Sequence, residues 1–186
     1  MKKLFTLLLC LCVVSISFAQ QEEKPSHKDK KEARKAEAAA KEHEAYIAAL
    51  KAITTHDFAI EADRVEFRRG TPEVVNPSTN FVSLRGNIAT VQLSSNTPRQ
   101  GVNGMGGLTL DAKASDIKTR VDSHGNTILT MNIVGRGITG TITVTLTKDS
   151  NRCNAEVSGN FTGGEVYLSG KLYPAAESSI FKGRSI

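Results

Sequence analysis

The 186-residue sequence contains no tryptophan, and its aromatic residues are seven phenylalanines and three tyrosines. Single-stranded nucleic acids are held by aromatic platforms set in a basic groove, and neither a cluster of aromatics nor a basic stripe is present. Histidine is as sparse. His27, His43, His56 and His124 lie far apart, with no pair at a metal-ligand spacing and none beside a carboxylate cluster, so no metal site is expected. No Gly-x-Ser-x-Gly nucleophile elbow occurs, so neither a catalytic residue nor a cofactor is assigned. Of three cysteines, Cys10 and Cys12 sit in the first twenty residues and only Cys153 lies in the body of the chain. A single thiol forms no internal disulfide, so the folded part must hold together by its core.

The opening MKKLFTLLLCLCVVSISFAQ has the parts of an export signal: Lys2 and Lys3, an apolar run from Leu4 to Ile16, and small residues at Ser17 and Ala19. The run is too short to be read as a membrane span. Cleavage is expected after Ala19, giving a periplasmic or secreted protein with no transmembrane segment once the signal is removed. Lipid anchoring through Cys12 needs small residues before the cysteine, and Leu11 stands there. The full chain carries a net charge of +5; without Lys2 and Lys3, 22 basic residues face 19 acidic ones, a balance of +3 that is spread along the chain. Export and the scattered charge both argue against a nucleic-acid partner.

Four regions are expected: the signal at 1–19, a disordered tail and charged helix at 20–56, an antiparallel β domain at 57–175, and a C-terminal tail at 176–186. Lys30 to Ile53 is rich in Ala, Lys and Glu and free of Gly and Pro, which favours helix. Its apolar stripe, Tyr46, Ile47, Leu50 and Ile53, occupies only the last two turns. Past Phe58 the period becomes two. Phe58, Ile60 and Ala62 share one parity and Val65 and Phe67 the other, which predicts a bulge near Asp63-Arg64. Short strand patterns follow at Phe81–Leu84, Ala89–Leu93, Leu108–Ala114 with a phase shift before Ile117, Leu129–Ile133, Ile142–Leu146, Cys153–Val157 and Val166–Leu172. Turn residues that tolerate positive φ separate them, as at Asp122–Asn126 and Asp149–Asn151. Eight or nine strands with short links and no crossover helices predict an antiparallel up-and-down barrel or strongly curled sheet or sandwich, preceded by one helix.

The stretch Asn76–Leu110 organises the rest. It holds two strands, Pro77 and Pro98, and the loop Gln100-Gly-Val-Asn-Gly-Met-Gly-Gly107. No Lys-Ser/Thr follows Gly107, so the loop is not a phosphate cradle, and its spacing is not that of a dinucleotide fingerprint. Its glycines are read first as conformational and second as a ligand-contacting loop at a barrel mouth. The candidate ligand contacts are Asn80, Gln92, Asn103, Gly104, Gly106 and Gly107.

The segments FAIEADRVEF, NPSTNFVSLRGNIATVQL, GVNGMGGLTL and GEVYLSGKLYP together resemble domain-of-unknown-function family 4251, uncharacterised exported proteins of Bacteroidetes. The match spans about Phe58 to Pro174, and it departs from the family pattern at Asp111-Ala112, where a glycine is usual. The resemblance implies export and a shared domain but no activity, substrate or catalytic residue. The leading expectation is therefore an exported non-enzymatic β domain that binds an unknown ligand or envelope partner near the glycine-rich loop. The alternatives are a periplasmic enzyme and a structural envelope protein that docks through its helix.

Overall fold

The computed structural model of the chain describes residues 27–68, 70–94, 107–136, 138–160 and 164–185. It divides into two units, Met1–Glu37 and Ala38–Ile186. Helix α1 runs His27–Thr54. The described side chains of the first unit lie on α1 and are exposed. Among the described residues no helix is long and apolar enough to cross a membrane.

In the second unit the end of α1 leads into nine strands: β1 (Asp57–Phe67), β2 (Glu73–Val74), β3 (Phe81–Arg85), β4 (Ile88–Ser94), β5 (Gly107–Val121), β6 (Thr127–Gly135), β7 (Ile138–Leu146), β8 (Arg152–Gly159) and β9 (Glu165–Pro174). From β3 to β9 each strand pairs with the next, and β1 pairs with both β3 and β9. That last pairing closes an eight-stranded antiparallel barrel and decides against an open sheet or sandwich. The two-residue β2 lies along β1 beyond β3, opposite Arg64 and Val65. With no apolar alternation of its own, it left no mark in the strand pattern.

The parity changes along the chain are bulges. Between β1 and β9 the register slips at Asp63, whose carbonyl accepts from Val75 N at 3.0 Å. Between β5 and β6 it slips between Ser115 and Lys118, where Asp116 adopts a φ of 53°. Each extra residue turns the strand so that an apolar side chain again meets the interior. The turn before β6 is held by Asp122, whose Oδ1 accepts from the backbone N–H groups of His124 and Asn126, both at 2.9 Å.

Inward side chains fill the barrel. Phe58, Ile60, Leu84, Leu129, Met131 and Ile142 are under 2 % exposed. Full burial of such side chains stabilises by about 1.5–3 kcal/mol each. The helix adds Ala49, Ala52 and Ile53 to this core, with Tyr46 and Leu50 packed against it. Ile47, expected in the stripe, is instead 52 % exposed. The buried face steps through Tyr46, Ala49, Leu50 and Ile53, the i, i+3, i+4, i+7 rhythm of a helix, and the small alanines allow close approach.

Cys153 belongs to the same interior, as its parity with Ala155 and Val157 implied. Burial pushes its thiol well above the usual range, and the charge of Asp63 adds to the effect. The thiolate is the reactive form. In protein beginning at Gln20, whose single cysteine this is, Ellman's reagent at neutral pH should react at the rate of unfolding. It should react at once in denaturant; rapid reaction under native conditions would contradict the burial.

Candidate functional site

Register sets the outward residues of β1, β3, β4 and β5 in rows. One row is Ala59, Ser83, Thr90 and Asp111; the next is Glu61, Phe81, Gln92 and Thr109. On a bare barrel these positions would face water. Here Ala59, Phe81, Gln92 and Thr109 are 0 % exposed.

What covers them is the segment 175–185, which crosses the four strands as a strap. Arg85 Nη2 donates to the Ala175 carbonyl at 3.3 Å. Ser179 donates from both its N–H and its hydroxyl to Glu61 Oε1. Phe181 N donates to the Ser78 carbonyl at 2.7 Å. At the centre sits the Gln92 amide, which gives to the carbonyls of Thr79 (3.1 Å) and Phe181 (2.8 Å) and accepts from Gly183 N (2.8 Å) and Thr109 Oγ1 (2.9 Å). These four bonds use two donors and two acceptors, the capacity of a primary amide.

The far end of the strap is charged. Lys182 Nζ lies 2.7 Å from Asp111 Oδ2, which also accepts from Ser185 Oγ at 2.6 Å, while Asp111 Oδ1 accepts from Thr90 Oγ1 at 2.6 Å. Burial alone would push the Asp111 carboxyl up; the bonds from Lys182, Ser185 and Thr90 outweigh it and hold the carboxyl below its usual value. A carboxyl depressed on folding stabilises the fold above its unfolded pKa, near 3.9, and that contribution is lost as pH falls through the folded value. The melting temperatures of the parent and of Asp111→Asn should therefore differ most near neutrality and converge below about pH 4. A gap that widens in acid would contradict this assignment.

Between the strap and β3–β4 lies a groove of about 350 Å³, lined by Phe81, Ser83, Arg85, Ile88, Thr90, Ile180 and Lys182. Phe81, Ile88 and Ile180 make an apolar wall. Ser83 is 5 % exposed and lines the groove, and no buried side-chain polar atom among the described residues is left without a hydrogen-bond partner. The Arg85 guanidinium has only the long bond to Ala175, with no carboxylate partner among the described residues.

A family described as a domain of unknown function, DUF4251, matches residues 40–172 of the sequence. The chain belongs to the DUF4251 family. A crystal structure of a DUF4251 family protein from Bacteroides eggerthii DSM 20697 is similar at 40 % identity and a TM-score of 0.65, covering 80 % of this chain and 99 % of that one. No curated protein matches. The DUF4251 match takes in all four strands that the strap crosses and stops short of the strap itself.

Within this DUF4251 domain the candidate contacts divide. Gln92 lies under the strap. Asn80 is 2 % exposed and binds the end of β4: its Oδ1 accepts from Ser94 N at 2.7 Å and its Nδ2 donates to the Asn76 carbonyl at 3.1 Å. Gly107 opens β5 directly beside β4. A Cβ on it would fall on the Leu93 carbonyl oxygen and 2.7 Å from Ser94 Cα, so its glycine answers to close approach rather than to positive φ. Asn103, Gly104 and Gly106 lie outside the described residues. Ser83 and Arg85 escaped the sequence reading because each looks like an ordinary outward residue of a strand. Among the described residues no group of three or more His, Cys, Asp or Glu side chains could hold a metal ion.

Proposed function

We propose that this is an exported, non-enzymatic binding domain whose ligand seats in the strapped groove on the flank of the barrel. The observation that carries the reading is the groove itself, an apolar wall of Phe81, Ile88 and Ile180 with the Ser83 hydroxyl and the Arg85 guanidinium beside it. Among the described residues no buried side-chain polar atom lacks a hydrogen-bond partner, so the Ser83 oxygen opens onto the groove, where an incoming group can reach it. The volume stands at the lower end of small-molecule sites, and an apolar wall with a few polar groups is their usual lining. The groove's described lining offers Ser83 no histidine, aspartate or glutamate as a base, which favours binding over nucleophilic chemistry. Five of the seven lining residues come from Asn76–Leu110. The leader at 1–19 supports a periplasmic or secreted location.

The absence of tryptophan supplies the test. Ile88→Trp places a single reporter at the groove, and Val134→Trp places one on another exposed strand position. A panel of short-chain carboxylates, alcohols and amines should change the emission of the first saturably and leave the second unchanged. No response from the Ile88→Trp protein, or equal responses from both, would overturn the reading.

A further inference from the structure

The charge pattern of the groove narrows what it can hold. Lys182 is spent on Asp111, which lies 2.7 Å away, so the pair presents no net charge. Arg85 remains as the uncompensated cation of the described lining. Its one hydrogen bond to the protein, to the Ala175 carbonyl, is 3.3 Å long and leaves most of its donor fork turned to solvent. A planar fork of N–H donors matches a carboxylate in two-point geometry. Arg85 and Ser83 lie two positions apart on β3 and so project from the same face of the sheet. Ser83 pairs with Thr90 in register, and Arg85 with Ile88. The Ser83 hydroxyl and the solvent-facing guanidinium of Arg85 thus lie on one face of β3, with Phe81, Ile88 and Ile180 as an apolar wall beside them.

Resting on the reading of this groove as the binding site, we infer that its ligand is a small amphipathic monocarboxylate. The carboxylate is held by Arg85 and the Ser83 hydroxyl, and the hydrocarbon body lies against Phe81, Ile88 and Ile180. One free positive charge favours a monoanion over a dianion such as a phosphate monoester, whose second charge would meet no partner. A cation would face Arg85 directly, and a neutral alcohol would leave the fork unpaired. Because Ile180 and Lys182 belong to the strap, the ligand binds the strapped form and stabilises it.

The experiment compares hexanoate, hexan-1-ol, hexylamine and butyl phosphate, by shifts of the backbone amide resonances of Phe81–Thr90 and Ile180–Lys182 in the parent protein. Hexanoate should bind about tenfold or more tightly than hexan-1-ol, the size expected for a charge-assisted hydrogen-bonded pair. Hexylamine should not bind. Arg85→Gln should abolish the preference for hexanoate over the alcohol, and Arg85→Lys, which keeps the charge without the fork, should recover only part of it. Ser83→Ala should weaken hexanoate while leaving the alcohol series less affected. Melts of each variant establish that it is folded. If hexanoate and hexan-1-ol shift the groove resonances with equal affinity, the carboxylate inference falls and the site stands. If butyl phosphate binds better than hexanoate, the monoanion inference falls likewise. If none of the four probes moves these resonances, the site itself is wrong.

Discussion

Gly170→Ala should lose about 3 kcal/mol of stability and melt roughly 6–12 °C below the parent. Gly170 faces inward on β9, opposite Ala62 of β1 and Cys153 of β8. A Cβ added there would fall on the Glu61 carbonyl oxygen and within 2.8 Å of Ala62 Cα. Both obstacles are backbone, so nothing can rotate out of the way; either the β1–β9 pairing opens or the methyl distorts it. Two other glycines calibrate the measurement. At Gly86 the space is open but φ is 60°, so alanine should cost about 1 kcal/mol through the left-handed strain alone. At Gly70 the contacts begin at 3.5 Å with no positive φ, so alanine should change stability by less than about 0.5 kcal/mol. Urea melts of the three variants should fall in that order. A Gly170→Ala protein no weaker than Gly86→Ala would show that the first and last strands of the barrel are not pressed together as described.

Gln92→Ala should be the second large loss, about 2–3 kcal/mol. The substitution removes a fully buried amide and takes a hydrogen bond from groups on three sides: the Thr79 carbonyl, the Thr109 hydroxyl and the main chain of the strap at Phe181 and Gly183. Strap groups can turn to water once they are released, whereas the space left by the amide lies against residues that are 0 % exposed, Phe81 and Thr109. The strap should detach while the barrel stays closed. Amide exchange at Phe181 and Gly183 should accelerate far more than exchange within β7 and β8, which share no partner with Gln92. Uniform acceleration across the barrel would mean that the strap is part of the cooperative core rather than a segment laid over it.

Much of the barrel was legible because inward and outward residues alternate. Ile142, Val144 and Leu146 against Thr141, Thr143 and Thr145 mark β7 without ambiguity, and the parity changes at Asp63 and before Ile117 locate the two bulges. Closure was not legible, since nothing in β1 or β9 names the other as its partner. The strap was hidden for a different reason. Residues 176–185 have no apolar period, because they are held by side chains of the sheet reaching their main chain and by the ion pair at Asp111. Gln92 and Phe81 then look like outward strand residues, although a later segment buries them. Gln92, a candidate ligand contact in the sequence, divides its amide between the protein's own tail and Thr79 and Thr109. Ile47 lies off the packed stripe because spacing rather than hydrophobicity selects the buried face of the helix, and Ala49 and Ala52 carry little apolar signal.

The joining of β1 to β9 also bears on the order of events in folding. Nine registered residue pairs link them, and each pair spans about a hundred residues of chain. A polypeptide emerging from its N-terminus can form the hairpins from β3 onward in sequence. The barrel cannot close until its final strand has appeared and found its first. Such distant pairing places folding on a millisecond-to-second scale. A chain still being made lacks the contact that would lock it, and it stays open until the last strand arrives.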